Sequence, residues 1–166
     1  MQAEAGYLHL SGEPGSPPAR MGLSIVDYMT GITTAVAILS SLFGVLKGGR
    51  GHDIDVSLFD VALHQLTYPG AWYLNSGYRT ERRPRSAHPS TVPVQLQRTA
   101  DGWIFIMCMT QKFWVELVRT LQRPDLLTHA DYATVEARRA HRDALTAVLD
   151  DVFAAATTAE WLGKLQ

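Results

Sequence analysis

The segment Gly22–Leu58 reads GLSIVDYMTGITTAVAILSSLFGVLKGGRGHDIDVSL, and it decides the fold of this chain. Its middle part, Met29–Leu46, contains no charged residue and no proline. Such a run predicts a long helix that is buried on nearly all sides. Eighteen uncharged residues are also long enough to span a membrane. The many small and hydroxyl-bearing residues, and the absence of flanking basic and aromatic clusters, favour a buried helix instead.

The rest of the segment predicts a helix stop followed by a strand. Gly48, Gly49 and Gly51 end the helix, because glycine adopts a positive φ without steric cost. Apolar and polar residues then alternate over 54–58, the period-two pattern of a strand with one buried face. A second apolar run, Phe59–Ser76, predicts a helix that is kinked or divided at Pro69–Gly70. The order helix, strand, helix is typical of an α/β layer.

Asp27 is the one charged residue between Arg20 and Lys47. It stands where a Pro/Gly-rich leader passes into the helical run. An aspartate at this position commonly caps a helix by accepting hydrogen bonds from free backbone N–H groups. A carboxylate at a helix entrance is equally suited to a reaction that needs an ionised side chain, and the residues alone leave both interpretations open.

Composition limits the classes of function. The chain has 166 residues, a net charge of −1 and 46% hydrophobic residues. This balance predicts a folded core and gives no electrostatic reason to expect nucleic acid or an anionic membrane as a partner. Cys108 is the single cysteine, so an internal disulfide is excluded and a reducing, cytoplasmic location is expected. The first residues lack the basic and apolar regions of a signal peptide.

Two proline-rich stretches predict loops. Ser11–Arg20 holds three prolines and two glycines. The stretch 77–93 carries four arginines with a single acidic residue and is expected to link two domains. Its arginines are suited to contacts with phosphate groups, whereas the alternative is a solvated linker.

The remainder, 94–166, predicts a small α+β domain. Two β-like runs, Val94–Arg98 and Trp103–Met109, are joined by a turn. A helix capped by Thr110 follows, and Phe113 is expected on its buried face. A second helix over Tyr132–Ala155 places its arginines outward, namely Arg138, Arg139 and Arg142. Thr157 and Glu160 have the spacing of a capping box that starts a last helix.

The ordered series of motifs resembles one known family. GEPGSPPAR, SIVDYMTG, the apolar helix, GGRGHDIDVSLFD, HPSTVPVQLQRTADGWIFI and a following FW look like the class III CoA-transferases, a family that also contains the α-methylacyl-CoA racemases. The similarity runs from Gln2 to about Leu165. In that family the aspartate of the SIVDYMTG-like segment is the catalytic carboxylate, and it falls on Asp27 here.

The resemblance implies a transferase that moves CoA from an acyl-CoA to a free acid through an aspartyl-CoA intermediate, and the expected acid is a small dicarboxylate. The loop His88–Pro93 departs from the glycine-rich loop of formyl-CoA transferases, which favours acids larger than formate or oxalate. A racemase or epimerase of the same family is the alternative. Those relatives carry a histidine upstream of the aspartate, whereas only His9 precedes Asp27 in this chain, too close in sequence to match. The missing partner favours the transferase. A non-catalytic remnant that folds by pairing with a complementary chain is a second alternative.

The resemblance also implies an architecture and partners. Residues 1–76 would be part of a Rossmann-like large domain that binds CoA, 77–93 a linker and 94–166 a small α+β domain. Family members are more than twice as long, so the chain is interpreted as a central fragment. Coenzyme A or acyl-CoA and a carboxylic acid are the expected substrates, an interlocked homodimer the expected assembly, and no metal is expected. Residues considered for CoA binding are Arg20, Gly49, Gly51 and Arg79.

Overall fold

The computed structural model describes residues 1–165, which form two compact units. The first runs from Met1 to Arg82 and the second from Arg83 onward. The division lies inside the stretch 77–93 that the sequence marks as a linker. Gln166, the final residue of the predicted small domain, lies outside the described residues. Taken together, the elements are mostly helical with a small sheet.

The first unit contains helices only among its described elements. They are α1 (Tyr7–Leu10), α2 (Ile25–Leu46), α3 (Leu58–His64) and α4 (Thr67–Ser76). A small buried cluster joins Val26 of α2 to Ala5, Tyr7 and Ala62. This cluster fixes the start of α2 against α3, and so determines where Asp27 is presented.

The long helix exists, but the prediction that it is buried nearly all round is wrong. Val26 is its one buried residue, and Leu39 and Phe43 are 66% and 61% exposed. Its length and mean hydropathy of 1.8 would suit a membrane span, although the core helix of a soluble protein passes the same test. Composition shows how much apolar surface a helix has, whereas burial depends on which neighbours cover it. In this unit α3 packs against one side of α2.

The predicted strand over 54–58 is also wrong, since none of its residues is in a strand. A strand needs a hydrogen-bonded neighbour, and the first unit provides none for this segment in the part of the chain described. Ser57 instead caps α3, accepting hydrogen bonds from the backbone N–H groups of Phe59 (3.2 Å) and Asp60 (3.3 Å). Leu58 is therefore the first residue of a helix rather than the last of a strand.

The second apolar run forms two helices, which was one of the two predicted outcomes, the other being one kinked helix. The break between the two helices lies earlier in the sequence than expected. It falls at Gln65 and Leu66, whereas Pro69 sits in the first turn of α4. Proline is tolerated there because backbone N–H groups of the first turn have no partner within the helix. The proline therefore follows the break and does not cause a kink at its own position.

The second unit is built on a hairpin. Strands β1 (Val94–Arg98) and β2 (Trp103–Met107) pair antiparallel, with Val94 opposite Met107 and Arg98 opposite Trp103. The predicted strands are confirmed, although the second ends two residues earlier than expected. Ile104 and Ile106 point into the core and alternate with exposed residues. A short 3₁₀ helix, Pro84–Ser86, precedes the hairpin.

Helices cover one face of the hairpin. They are α5 (Gln111–Thr120), α6 (Asp125–Thr128), α7 (Val135–Ala140), α8 (Arg142–Phe153) and α9 (Thr158–Leu165). Trp114, Leu145, Leu149 and Phe153 are fully buried in the core that these helices form with β2. Thr110 caps α5 as predicted, whereas Phe113 is 51% exposed and does not join the buried face.

Two further predictions for this unit are corrected. The single helix expected over Tyr132–Ala155 is divided at His141, whose φ and ψ of −111° and 32° are not helical. Arg138, expected to point outward, is only 1% exposed. The capping box is confirmed, because the Thr157 N–H donates to Glu160 Oε2 at 2.8 Å and the Glu160 N–H donates to Thr157 Oγ1 at 3.3 Å.

Candidate functional site

Asp27 is the third residue of α2 and is exposed. The helix cap is Ser24, whose side chain makes no capping hydrogen bond, so the interpretation of Asp27 as the N-cap is wrong. Within residues 1–165 no hydrogen bond or ion pair is made to the Asp27 carboxylate. The first N–H groups of a helix carry a partial positive charge that favours a nearby anion. Asp27 is thus an accessible carboxylate beside unsatisfied backbone donors.

The helical turn that carries Asp27 is anchored by buried contacts of its neighbour Val26. Val26 is 4% exposed and packs in the cluster with Ala5, Tyr7 and Ala62. The Tyr7 hydroxyl donates to the Ala62 carbonyl at 2.9 Å, and burial raises the pKa of Tyr7, which keeps the phenol protonated as a donor. Because Val26 is fixed on the inner side of the helix, its neighbour Asp27 is directed outward.

The backbone just before α2 is held by Gln2. Its amide nitrogen donates to the Leu23 carbonyl at 3.2 Å, and its amide oxygen accepts from the Met21 N–H at 3.0 Å. This bond pair sets the path of the chain into the helix. Sequence reasoning missed Gln2, and a glutamine near a terminus carries no signal that would reveal such a contact.

The other residues considered for CoA binding are spread over the first unit. Arg20 is exposed and lies shortly before α2, seven residues before Asp27 in the sequence. Gly49 and Gly51 follow the far end of α2, which at 22 residues is about 33 Å long. They are therefore not brought to Asp27. Gly49 has a structural reason to be glycine, since a Cβ there would meet the Gly44 carbonyl oxygen at 2.9 Å.

Arg79 lines a groove of about 590 Å³ in the first unit. Its lining is mainly apolar, including Leu63, Leu66 and Tyr73, and also contains Glu81 and Arg79. His9 also lines the groove, whereas Asp27 does not. His9 and Asp27 therefore do not line a common groove among the described residues.

Arg82 contacts the backbone of the Pro/Gly-rich loop. Its Nη1 donates to the Ser16 carbonyl at 3.0 Å and to the Pro17 carbonyl at 3.3 Å. The contact ties the Pro/Gly-rich loop 11–20 to the end of the first unit. Charge alone could not distinguish this arginine from its neighbours in the sequence.

In the second unit, two arginines hold the loop His88–Pro93. Arg142 Nη2 donates to the His88 carbonyl at 2.8 Å, and Arg138 Nε donates to the Val92 carbonyl at 3.0 Å. The His88 Nδ1 accepts from the N–H groups of Ser90 and Thr91, at 3.2 and 3.1 Å. Burial, and then the positive charge of Arg142, lower the pKa of His88. The imidazole is therefore held in its neutral form with Nδ1 as the acceptor.

Among residues 1–165, no three or more His, Cys, Asp or Glu side chains are grouped to hold a metal ion. Three features could therefore take part in binding or catalysis: the carboxylate of Asp27, the apolar groove beside Arg79 and the arginine-held loop of the second unit.

Comparison with known proteins gives consistent matches over the whole chain. The family model for CoA-transferase family III matches residues 1–166. An acyl-CoA transferase of Fusarium pseudograminearum is 36% identical over 99% of this chain, and the succinyl-CoA:glutarate CoA-transferase of Homo sapiens is 30% identical over 96%. The chain spans 36% of the length of each of these two relatives. A crystal structure of a CAIB/BAIF family protein from Brucella suis is 32% identical, with a TM-score of 0.74 over 99% of this chain and 43% of that one.

Proposed function

The chain belongs to CoA-transferase family III, and from that premise we propose that it serves to move CoA from an acyl-CoA thioester to a free dicarboxylic acid, with Asp27 as the acyl acceptor. The observation that carries the proposal is the placement of Asp27. An exposed carboxylate in the first turn of α2 is open to a substrate and lies beside the free backbone N–H groups of the helix N-terminus.

The proposal that the acceptor is a dicarboxylic acid rests on the name of a relative. The human protein is named for succinyl-CoA and glutarate, two compounds that carry carboxylates on short chains. For this chain we propose succinyl-CoA as donor and glutarate as acceptor. The proposed location is the cytoplasm.

The proposed reaction begins with attack of an Asp27 carboxylate oxygen on the thioester carbonyl. A mixed anhydride forms and the CoA thiolate leaves. The thiolate then attacks the Asp27 carbonyl of the anhydride, which releases succinate and leaves an aspartyl-CoA thioester. With glutarate the same two steps run in reverse, giving glutaryl-CoA and free Asp27. Covalent catalysis of this kind divides one difficult exchange into easier steps.

The surroundings of Asp27 support two roles. Backbone N–H groups near Gly22–Ser24 are close in the chain to the carboxylate and are suited to a developing oxyanion. The open space around Gly22, where a Cβ would meet no atom within 4 Å, leaves room for a substrate to approach. Gln2 keeps this backbone in position through its contacts with Met21 and Leu23.

A trapping experiment tests the proposal. The 166-residue protein is incubated with succinyl-CoA and glutarate, and glutaryl-CoA is measured by chromatography. A parallel incubation also contains hydroxylamine. Hydroxylamine converts an aspartyl thioester or anhydride into a hydroxamate. Trypsin releases the peptide Met21–Lys47, in which Asp27 is the one acidic side chain, so mass spectrometry identifies the modified residue without ambiguity.

Asp60 provides a matched control. It too is exposed and is the third residue of its helix, α3. We expect D27N to abolish both glutaryl-CoA and the hydroxamate, and D60N to retain both. Transfer with the label on another peptide would disprove the role of Asp27. Solvent deuterium at the substrate α-carbon without CoA exchange would instead indicate the racemase.

The non-catalytic remnant remains the second candidate, because the exposed apolar side of α2 is a surface that a further chain would cover. We propose that the active form is a homodimer. Absence of any glutaryl-CoA from a folded wild-type protein would reject transfer by this chain and favour the remnant.

A further inference from the structure

The second unit contains a small pocket that the proposed chemistry does not use. It lies between the short 3₁₀ helix, β1 and the start of α8, and its volume is about 160 Å³. Its polar lining consists of Arg83, Arg85, Gln95, Arg142, Asp143 and Thr146. Since a water molecule occupies about 30 Å³ in the liquid, the pocket has room for about five waters or one compact ion.

Arg142 is incompletely bonded in this pocket. Its Nη2 donates to the His88 carbonyl at 2.8 Å, but its Nη1 is buried and has no hydrogen-bond partner within residues 1–165. A buried charged donor without an acceptor is costly. Burial, and next the nearby positive charge of Arg83, lower the pKa of Arg142.

The other polar groups of the pocket are largely satisfied. Arg85 is paired with both carboxylate oxygens of Asp150, at 2.5 and 2.6 Å. Gln95 Nε2 donates to Thr146 Oγ1 at 2.9 Å, and that hydroxyl donates to the Arg142 carbonyl at 2.9 Å. Arg83 makes no hydrogen bond or ion pair with any other described residue. The lining residues with unsatisfied hydrogen-bond donors are therefore Arg83 and Arg142. Asp143 is the one acidic side chain in the lining, and its negative charge partly offsets theirs.

The start of α8 adds to this positive potential. The helix has 12 residues, and its cap, His141, makes no side-chain hydrogen bond to the first turn. The first backbone N–H groups of a helix have no partner within that helix, and they form the positive end of the helix dipole.

We propose that this pocket is a binding site for a compact oxyanion, a phosphate or carboxylate group held by Arg83 and Arg142. Guanidinium groups bind such oxyanions through charge-assisted hydrogen bonds. An anion there would be attracted by two positively charged side chains of the lining, in which Asp143 is the one acidic residue. The inference does not depend on the proposed transfer reaction, since it concerns binding alone.

Titration calorimetry with inorganic phosphate, at constant ionic strength, tests the site in the full chain. We expect saturable binding of one phosphate. R83Q should weaken binding about tenfold, because it removes a charged donor. D143N should strengthen binding severalfold, because it removes the opposing carboxylate.

R139Q is the matched control, since Arg139 is exposed on the neighbouring helix α7 and makes the same change of net charge. It should leave phosphate binding within twofold of wild type. Circular dichroism checks that each variant is folded. If R83Q is not folded, the phosphate affinity of D143N alone tests the proposal. Absence of saturable binding, equal losses in R83Q and R139Q, or no gain in D143N would each overturn the proposal.

Competition against bound phosphate then assigns the natural source of the oxyanion. Displacement by CoA but not by 3′-dephospho-CoA would identify a ribose phosphate. Displacement by glutarate would identify a substrate carboxylate. If neither displaces phosphate, the site binds the free ion. All three results support the oxyanion site, and none depends on catalytic activity.

Discussion

Arg138 shows how a single charged residue organises the second unit. Besides the Val92 carbonyl, its guanidinium donates to the Tyr132 carbonyl at 2.8 Å and to Gln111 Oε1 at 2.9 Å. It also lies 4.8 Å from the centre of the Trp114 ring, within the range of a cation–π contact. Burial lowers the pKa of Arg138, but the group stays charged at neutral pH. One side chain thus joins α5, α7 and the loop before β1.

Replacing Arg138 by methionine should lower the free energy of unfolding by about 3 kcal/mol or more, because three acceptors would lose a charged donor. Urea unfolding followed by tryptophan fluorescence measures the effect. The neighbouring R139M is the control and should change stability by less than about 0.5 kcal/mol, since Arg139 is exposed. Equal effects in the two variants would contradict the role assigned to Arg138.

Cys108 is a buried thiol that follows β2, and it is 5% exposed. Burial raises its pKa to about 11, whereas the charge of Arg138 acts in the opposite direction and is the smaller effect. At about pH 8 only about one thiol in a thousand would be ionised. The thiolate is the reactive form, so the native thiol should be inert.

We therefore expect thiol reagents to label Cys108 slowly at about pH 8 in the native protein and rapidly in urea. The readout is the rate of mixed-disulfide formation with an aromatic disulfide reagent. Labelling of the native protein at the rate of the unfolded one would show that the thiol is accessible and ionised, contrary to the structure.

At the scale of elements, the hairpin turn and α9 are held together by Asp101. Its Oδ1 accepts hydrogen bonds from the Thr158 N–H at 2.7 Å, from the Thr158 hydroxyl at 2.9 Å and from the Thr99 hydroxyl at 3.2 Å. The backbone bond from Thr158 is the main reason why the pKa of Asp101 is below its usual value. The carboxylate thus caps α9 from a turn that is distant in sequence.

A lowered folded-state pKa means that ionised Asp101 stabilises the fold. Its contribution is fully present above the unfolded pKa of about 3.9 and is lost as the pH falls through the lower, folded-state value. We expect D101N to be less stable than wild type at neutral pH, with a difference that narrows in acid. Chemical unfolding at a series of pH values measures this, with D151N on the exposed side of α8 as control. A difference that stays constant with pH would contradict the assignment.

For the molecule as a whole, the exposed side of α2 is the main feature that invites association. Leu39, Leu42, Phe43 and Leu46 are each more than half exposed and form one stripe along about the last two turns of the helix. Large exposed apolar patches on soluble proteins usually mark interaction sites. The stripe therefore supports the homodimer proposed for the active form.

We expect the wild-type protein to self-associate as its concentration rises and F43E to shift the equilibrium towards monomer, because a charge in a buried contact is unfavourable. Light scattering coupled to size-exclusion chromatography gives the mass. N75E adds the same charge to α4 away from the stripe and should behave like wild type. A wild-type protein that is monomeric at every concentration would exclude the homodimer.

Much of this architecture could be predicted from local patterns. The hairpin was found because alternating residues and a turn occur within fifteen positions, and the caps at Thr110 and Thr157 depend on neighbours three residues away. The series of motifs likewise identified the family and pointed to Asp27. Signals of this kind need no knowledge of distant contacts.

The failures share a different cause. The strand over 54–58 requires a partner, and the burial of α2 requires covering surfaces, neither of which a local pattern can supply. The burial of Arg138 depends on acceptors up to 46 positions away. For the same reason the grouping of Arg83 with Arg142 was invisible in the sequence.

The sequence by itself determined the family, the helix that carries Asp27 and the hairpin of the second unit, because these are written in residue order and short-range periodicity. Only the tertiary structure decided which charges are buried, which apolar surfaces are left exposed and which arginines line the same pocket. Those outcomes depend on residues that are distant in the chain and adjacent in space.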